Sequence, residues 1–523
     1  MKRSRRAAPP DKKNRRIDME DKKLKIGFNA FDSEVLNDTS EFRLPFGCNP
    51  DFVWCHSDPS ERNGLADCDK ARALAEKFKE LGCNFIVNFE FQNFAPETYS
   101  ANGYDWSNAP DGTHRLRLYE DYVKAFCSCG NLIGIAYDEF EHVIINRNIS
   151  LWLGSKGKIN KPAFRQADTR DALVQGKELE NDLKEYAGKI KEWGSPSFSG
   201  EHVFPVLYHL FARCGIIPNF KSQKESVSNI QFAIAAGAAL QYGTPLYNCV
   251  DMWHKLTYPG HSAEEMYNNL KFAYYAGVNR VYVEAESALV NKEKNALNDA
   301  GLRYEKFCKE YKGKERNYDV SDYRPEIGII RYDDSYWGQN LIWARGLFGN
   351  KKIHPDSRSR EWLKILHTVT RGDCYIKGPT WNRIEPHSLT PHRSFITMNS
   401  LAVFDDNVTK ETLSSLKLCF LTGLRISDET LDAVASLVRE NGLVAVCPER
   451  FAPAEIKSKI HGSYCEIKDG KGCWIVTGKF TSSKLAKRIE PFLGNRNEIR
   501  LTFADNREIR LKIDEKGEKI DVI

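Results

Sequence analysis

From residue 24 to about 322, short apolar runs alternate with longer stretches of helical period. Seven runs read as strands: Leu24–Phe28, Phe52–Cys55, Asn84–Phe91, Asn131–Tyr137, Ile216–Phe220, Pro245–Asp251 and Asn279–Glu284. Helices are predicted between them over Asp69–Leu81, Leu116–Phe126, Val227–Gln241, Ala263–Ala276 and Ala300–Tyr311. Gly82, Gly130, Gly215, Gly243 and Gly277 each stand between a helix and the next strand, the place of a helix C-cap. Strands alternating with helices predict a parallel sheet, and this many units over ~300 residues predict a closed (β/α)8 barrel. An eighth strand is not visible, and Phe52–Cys55 is the weakest of the seven.

A second α/β pattern begins near Pro325 with EIGIIRYDD. Leu416–Thr422 is a strand, Ser427 caps a helix with Asp428 and Glu429 in its first turn, Asn441-Gly442 stops it, and Leu443–Cys447 is the next strand. That is a βαβ unit of a doubly wound domain. The tail alternates apolar and polar residues around Asp505-Asn506 and Glu515-Lys516-Gly517, as a small antiparallel β unit does. The organisation expected is an arm over 1–23, a barrel over 24–322, an α/β domain over 323–485 and a β unit over 486–523.

Charge changes this picture only at the start. Residues 1–23 hold ten Lys and Arg against four Asp and Glu, so the net +5 of the chain belongs to the arm and the body is nearly neutral. A nearly neutral body argues against nucleic acid as a partner. The arm lacks the apolar segment of a secretory signal, and no apolar run reaches the ~18 residues of a membrane span. The 14 cysteines form no C-x-x-C pair and read as free, mostly buried thiols of a cytoplasmic protein.

In a parallel barrel the working residues occupy the carboxyl ends of strands. NFIVNFEFQN sorts by parity, with Phe85, Val87, Phe89 and Phe91 on one face and Asn88, Glu90 and Gln92 on the other. RVYVEAES likewise sets Tyr282, Glu284 and Glu286 opposite Val281 and Val283, and NCVDMWHK sets Asp251 and Trp253 opposite Val250 and Met252. IGIAYDEFEH ends in Asp138, Glu139, Glu141 and His142, where parity leaves Asp138 and Glu139 equally eligible to face inward. Acids thus close four strands, interleaved with Trp54, Tyr137, Tyr247, Trp253 and Tyr282. Aromatic faces stack on sugar rings while carboxylates and amides bond the hydroxyls. Paired carboxylates are what glycoside hydrolysis needs: one protonates the leaving oxygen, the other attacks the anomeric carbon or activates water. With Phe52–Cys55 as strand two, Glu139 closes strand four and Glu284 strand seven.

Acids after strands four and seven, followed by a doubly wound domain and a β tail, resemble the plan of the family-42 β-galactosidases and related clan-A glycosidases. Residues 401–450, with their S-D-E helix start, N-G stop and apolar strand, are similar to the glutamine-amidotransferase-like domain of those enzymes. The resemblance implies Glu139 as acid/base, Glu284 as nucleophile, a glycoside or oligosaccharide substrate, no cofactor and possible homo-oligomers. One departure stands out: the clan has Asn before its acid/base Glu, where this chain has Asp138, itself a candidate acid. Glu90, Asn93, Tyr137, Lys221, Asp251, Trp253, Tyr282 and Glu286 are the expected substrate-binding residues, Lys221 alternatively a surface residue. Cys447, in V-A-V-C-P-E, lacks the G-x-C-x-G elbow of an amidotransferase nucleophile and reads as a core thiol. Tyr332-Asp333-Asp334 reads as a loop or an interdomain contact. The rival readings are a non-catalytic carbohydrate-binding barrel and a metal-dependent hydrolase or isomerase using Asp251, His254, His261 and the DEFEH cluster. No H-x-x-H spacing supports that metal set.

Overall fold

The computed structural model describes residues 22–57, 61–62, 65–89, 120–145, 164, 166–222, 227–252, 261–284, 288–338, 346–374 and 393–523, the side chains of 61, 62, 65, 66, 142 and 143 excepted. Eight strands close into a barrel: β1 (Lys25–Phe31), β2 (Phe52–His56), β3 (Asn84–Asn88), β4 (Leu132–Tyr137), β5 (Phe198–His202), β6 (Ile217–Ser222), β7 (Tyr247–Asp251) and β8 (Arg280–Glu284). Each strand pairs in parallel with its neighbours in sequence, and β8 returns to β1. Alternation decides which side chains enter the lumen. Phe85, Val87 and Phe89 join the outer core against the helices, while Ile86 packs in the lumen with Phe52, Trp54, Ala136, Ile217, Tyr247, Cys249 and Tyr282.

The strand missing from the sequence reading is β5, Phe-Ser-Gly-Glu-His. Apart from Phe198 it lacks the β-branched and aromatic residues that mark a strand, because Ser199 and Glu201 occupy its inward positions. The helix before it, Ala172–Glu192, ends in Trp193-Gly194, with Gly194 at a φ of 103°, the same helix-to-strand signal read at five other glycines. Inserting β5 renumbers the barrel. Glu139 still follows strand four, but Asp251 closes strand seven and Glu284 closes strand eight, which corrects the expected strand-seven place of Glu284.

The second α/β unit is a six-stranded sheet made of β9 (Ile327–Arg331), β10 (Leu401–Phe404), β11 (Leu418–Thr422), β12 (Val444–Cys447), β13 (Tyr464–Asp469) and β14 (Gly472–Thr477), in the order β10-β9-β11-β12-β14-β13. Only the β13–β14 pair is antiparallel. The helix Asp428–Asn441 starts on Ser427, whose Oγ accepts the Thr430 N–H at 3.2 Å, and stops at Gly442 in the left-handed region. Cys447 is a buried thiol pushed up to about 12 by burial, as a core residue rather than a nucleophile. All fourteen cysteines are free. The tail strands Glu498–Thr502, Glu508–Ile513 and Ile520–Val522 pair antiparallel, extended by Met398–Asn399. Among the described residues no helix is long and apolar enough to cross a membrane.

The sheet docks on the barrel helix Ser228–Tyr242. At Gly237 an added Cβ would lie 1.7 Å from the Val403 carbonyl oxygen, so only glycine permits this approach.

Candidate active site

The carboxyl ends of β4 to β8 bring their acids to one cation. Lys221, the last inward residue of β6, is buried, and its Nζ lies 2.9 Å from Asp138 Oδ1 and 2.9 Å from Glu284 Oε2. Asp251 stands at 3.4 Å, and Glu139 and Glu201 each at 3.7 Å. Burial works against the ammonium, but the charges of Asp138, Glu201, Glu284 and Asp251 outweigh it and hold Lys221 protonated, well above its ordinary range. Five carboxyls around one lysine leave a site rich in negative charge.

Each acid has its own surroundings. Burial pushes the Glu284 carboxyl up, yet the Lys221 charge, His56 and the Cys249 thiol together hold it well below the usual carboxylate range. His56 Nε2 is 3.3 Å from Glu284 Oε1, and the Cys249 S–H donates to Oε2 at 3.0 Å. Glu201 is shifted the opposite way: burial raises its carboxyl first, and the charges of Asp138 and Glu284 raise it further against Lys221. It is hydrogen-bonded to Asp138, and its Oε1 accepts the Tyr282 hydroxyl at 2.8 Å. Two carboxyls at one site are thus pushed apart, Glu201 upward and Glu284 downward. Asp138 is fixed through its backbone N–H, which donates to Asn88 Oδ1 at 3.0 Å.

Depth sorts these groups. Glu139 and Glu284 keep 5% and 6% exposure, whereas Asp251 and Glu201 keep 0%, so the first two face the mouth and the others lie beneath. Because both approach one Nζ, their nearest oxygens lie no more than about 7 Å apart, an upper limit that reaches the roughly 5–5.5 Å of retaining pairs and falls short of most of the roughly 6.5–9.5 Å of inverting ones.

Of the residues singled out in the sequence, the structure brings Asp138, Glu139, Lys221, Asp251 and Glu284 together at one point. Both Asp138 and Glu139 reach the lysine, an outcome parity alone left open. Tyr137 is corrected: its odd position turns it outward, where it stacks on Phe140 at 4.9 Å and meets the Tyr186 hydroxyl. Tyr282 enters the lumen but as part of its floor, stacked on Trp54 at 4.1 Å and fully buried, so neither ring is a sugar platform. Tyr247 belongs to the same floor. Glu90, Asn93, Trp253 and Glu286 lie outside the described residues, as do His142's side chain and His254. His56, Asn88, Glu201 and Cys249 went unassigned. His56 and Asn88 end β2 and β3 in register with each other; parity already set Asn88 on the inward face, and carrying the same parity one residue past Cys55 finds His56.

Among the described residues the side chains with metal-ligand spacing are Glu201, Cys249 and Glu284, not the expected set around Asp251. His261 instead meets Glu265 Oε2 at 2.8 Å. The Lys221 ammonium already lies against Glu284 and Glu201, and its charge opposes a divalent cation there.

No family model matches the chain, and no curated protein does. Solved structures similar to it include a family GH42 exo-carrageenase from Bacteroides ovatus, 9% identical over 94% of this chain and 73% of that one, with a TM-score of 0.41. A family GH30 xylanase from Clostridium acetobutylicum is 12% identical over 55% of this chain and 71% of its own, with a TM-score of 0.33. Tryptophan synthase from M. tuberculosis is 8% identical over 55% and 92%, with a TM-score of 0.31. At such identities the likeness concerns the course of the chain and not its chemistry.

Proposed function

We propose that the protein is a glycoside hydrolase using a two-carboxylate mechanism, with Glu284 as nucleophile and Glu139 as acid/base. The observation that carries this reading is the convergence of those two mouth-facing carboxyls on one buried ammonium, with Glu284 held ionised. Glu284 attacks the anomeric carbon while Glu139 protonates the departing oxygen; Glu139 then takes a proton from the water that releases the sugar. Lys221 fixes the spacing of the acids and keeps Glu284 charged. Asp138, Asp251 and His56 hold the ammonium and the nucleophile in place, and Asp138 with Glu201 forms a proton-sharing pair under the site. The short separation of the two carboxyls supports retention of configuration. The placement on strands four and eight, rather than four and seven, sets this arrangement apart from the clan it resembles. A small glycoside or oligosaccharide is the substrate, and the reaction needs no cofactor.

The test is turnover on a panel of aryl glycosides. Glu284→Gln and Glu139→Gln are both expected to lose at least ~100-fold in kcat/KM, and a 2-deoxy-2-fluoro glycoside to label Glu284. Full turnover in both variants overturns the assignment. Binding of oligosaccharide without turnover in the parent protein favours the carbohydrate-binding reading instead.

A further inference from the structure

Glu139 holds its backbone at a φ of +46°, in the left-handed region that a side-chain-bearing residue occupies only when its surroundings force it. It joins β4 to a short helix, Phe140–Ile145, so whatever anchors that helix sets the aim of the Glu139 carboxyl. The anchor is Glu141. Its side chain is fully buried, and its Oε1 accepts the backbone N–H groups of Val203 and Phe204, both at 2.8 Å, from the loop after β5.

That loop is itself braced by the second α/β unit. Phe204 stacks on Trp337 at 4.3 Å and an interplanar angle of 9°. Leu207, also left-handed at a φ of 66°, donates its N–H to Asp333 Oδ2 at 2.6 Å. The far end of the Glu141 helix meets Gly349, where an added Cβ would lie 2.3 Å from the Ile144 carbonyl oxygen.

We propose that Glu141 is the positioning residue for Glu139, its two backbone hydrogen bonds locking the helix that keeps Glu139 left-handed, and that Asp333, Trp337 and Gly349 of the second unit hold this lock from outside the barrel. The proposal rests on Glu139 being the acid/base. Without the lock, Glu139 relaxes to a right-handed backbone and its carboxyl swings away from the leaving oxygen, while Glu284 stays in place.

The experiment compares Glu141→Ala with Glu141→Gln on dinitrophenyl and unactivated alkyl glycosides. The Gln amide oxygen still accepts both N–H groups, and Ala accepts neither. The Ala variant is expected to lose about 100-fold in kcat on the alkyl glycoside, which needs protonation, and only a few-fold on the dinitrophenyl glycoside, which does not. The Gln variant is expected to stay within a few-fold on both. Equal losses on the two leaving groups, or a Gln variant as poor as Ala, overturn the proposal. A crystal structure gives a readout independent of turnover: φ of Glu139 turns negative in the Ala variant and stays positive in the Gln variant, and a positive φ in both overturns the lock. Should no glycoside be hydrolysed by the parent protein, the activity assignment fails while the crystal structures still decide the lock. Should the Ala variant not fold, Gly349→Ala applies the same strain from the other end, with the same dependence on leaving group expected and its absence decisive against the role of the second unit.

Discussion

Two clusters of buried acids stand at the carboxyl ends of parallel strands in this molecule, and they are built differently. In the barrel, Asp138, Glu139, Glu201, Asp251 and Glu284 share Lys221. At the strand ends of the second sheet the buried acids described are paired with arginines: Arg331 with Asp333 at 3.4 Å and Asp334 at 2.7 Å, Arg425 with Asp406 at 2.6 Å, Arg450 with Glu361 at 2.5 Å, and Arg213 of the barrel with Asp405. Arginine forks satisfy carboxylates and freeze them, which suits a docking interface. A shared lysine leaves most of the negative charge uncompensated, which suits chemistry. Burial and acidity alone do not separate the two; the ratio of cations to acids does.

Removing a mouth acid should have the largest effect on that contrast. Glu284→Gln is expected to lower kcat by more than ~1,000-fold with a melting temperature within a few degrees of the parent, whereas Asp405→Asn is expected to keep kcat within a few-fold. Comparable kcat losses in both would erase the distinction. Next is Lys221→Met, which leaves five acids without their cation; a loss of about 3–5 kcal/mol in urea unfolding is expected together with loss of turnover. A variant as stable as the parent would show the cluster to be solvated rather than held. Arg213→Met does the same injury to the other cluster, taking the guanidinium from Asp405 and from Glu180. About 3 kcal/mol is expected, largely restored in the Arg213→Met/Asp405→Asn double variant, as a double-mutant cycle would report.

Two buried groups, one in each region, should also answer pH in opposite senses. Burial pushes His202, beside Glu141, down from 6.5 to about 3, so the unfolded chain binds a proton that the folded chain refuses, and its stability contribution is lost as pH falls from 6.5 toward 3. Burial and the Asp405 charge push Asp406 up from 3.8 to about 6, so its contribution is present at low pH and lost as pH rises between those values. Unfolding free energy measured from pH 4 to 6 should gain from His202→Gln at the acid end and flatten in the reverse direction with Asp406→Asn, each by at most about 1.4 kcal/mol per pH unit. Slopes unchanged by either substitution would refute the pairing of opposite shifts.

Much of this was open to reading along the chain because strands alternate strictly. Parity alone sent Glu284 and Asp251 inward and Val281, Val283 and Val250 outward, as found. The same rule would have excluded Tyr137, whose neighbour Ala136 holds the inward place. What hid β5 was its function-bearing composition: a strand that gives its inward positions to Ser199 and Glu201 loses the apolar rhythm by which strands are recognised. Aromatic residues misled for a related reason, since Trp54 and Tyr282 fill the lumen below the acids and a ring in a floor looks the same in sequence as a ring on a rim.

The order of the elements other than β5, the helix caps and the inward or outward face of the strands that keep an apolar rhythm follow from short-range rules of backbone geometry, and those the amino-acid sequence determined by itself. Which acids meet depends on barrel closure, strand count and stagger, and on the single lysine toward which they lean, all of which join residues as far apart in the chain as Lys25 and Arg280 or Asp138 and Glu284 and leave no local trace. The tertiary structure alone decided that Glu139 is left-handed, that Glu141 anchors it, and that a second sheet stands behind both, because those facts arise from packing between elements whose own sequences are silent about their partners.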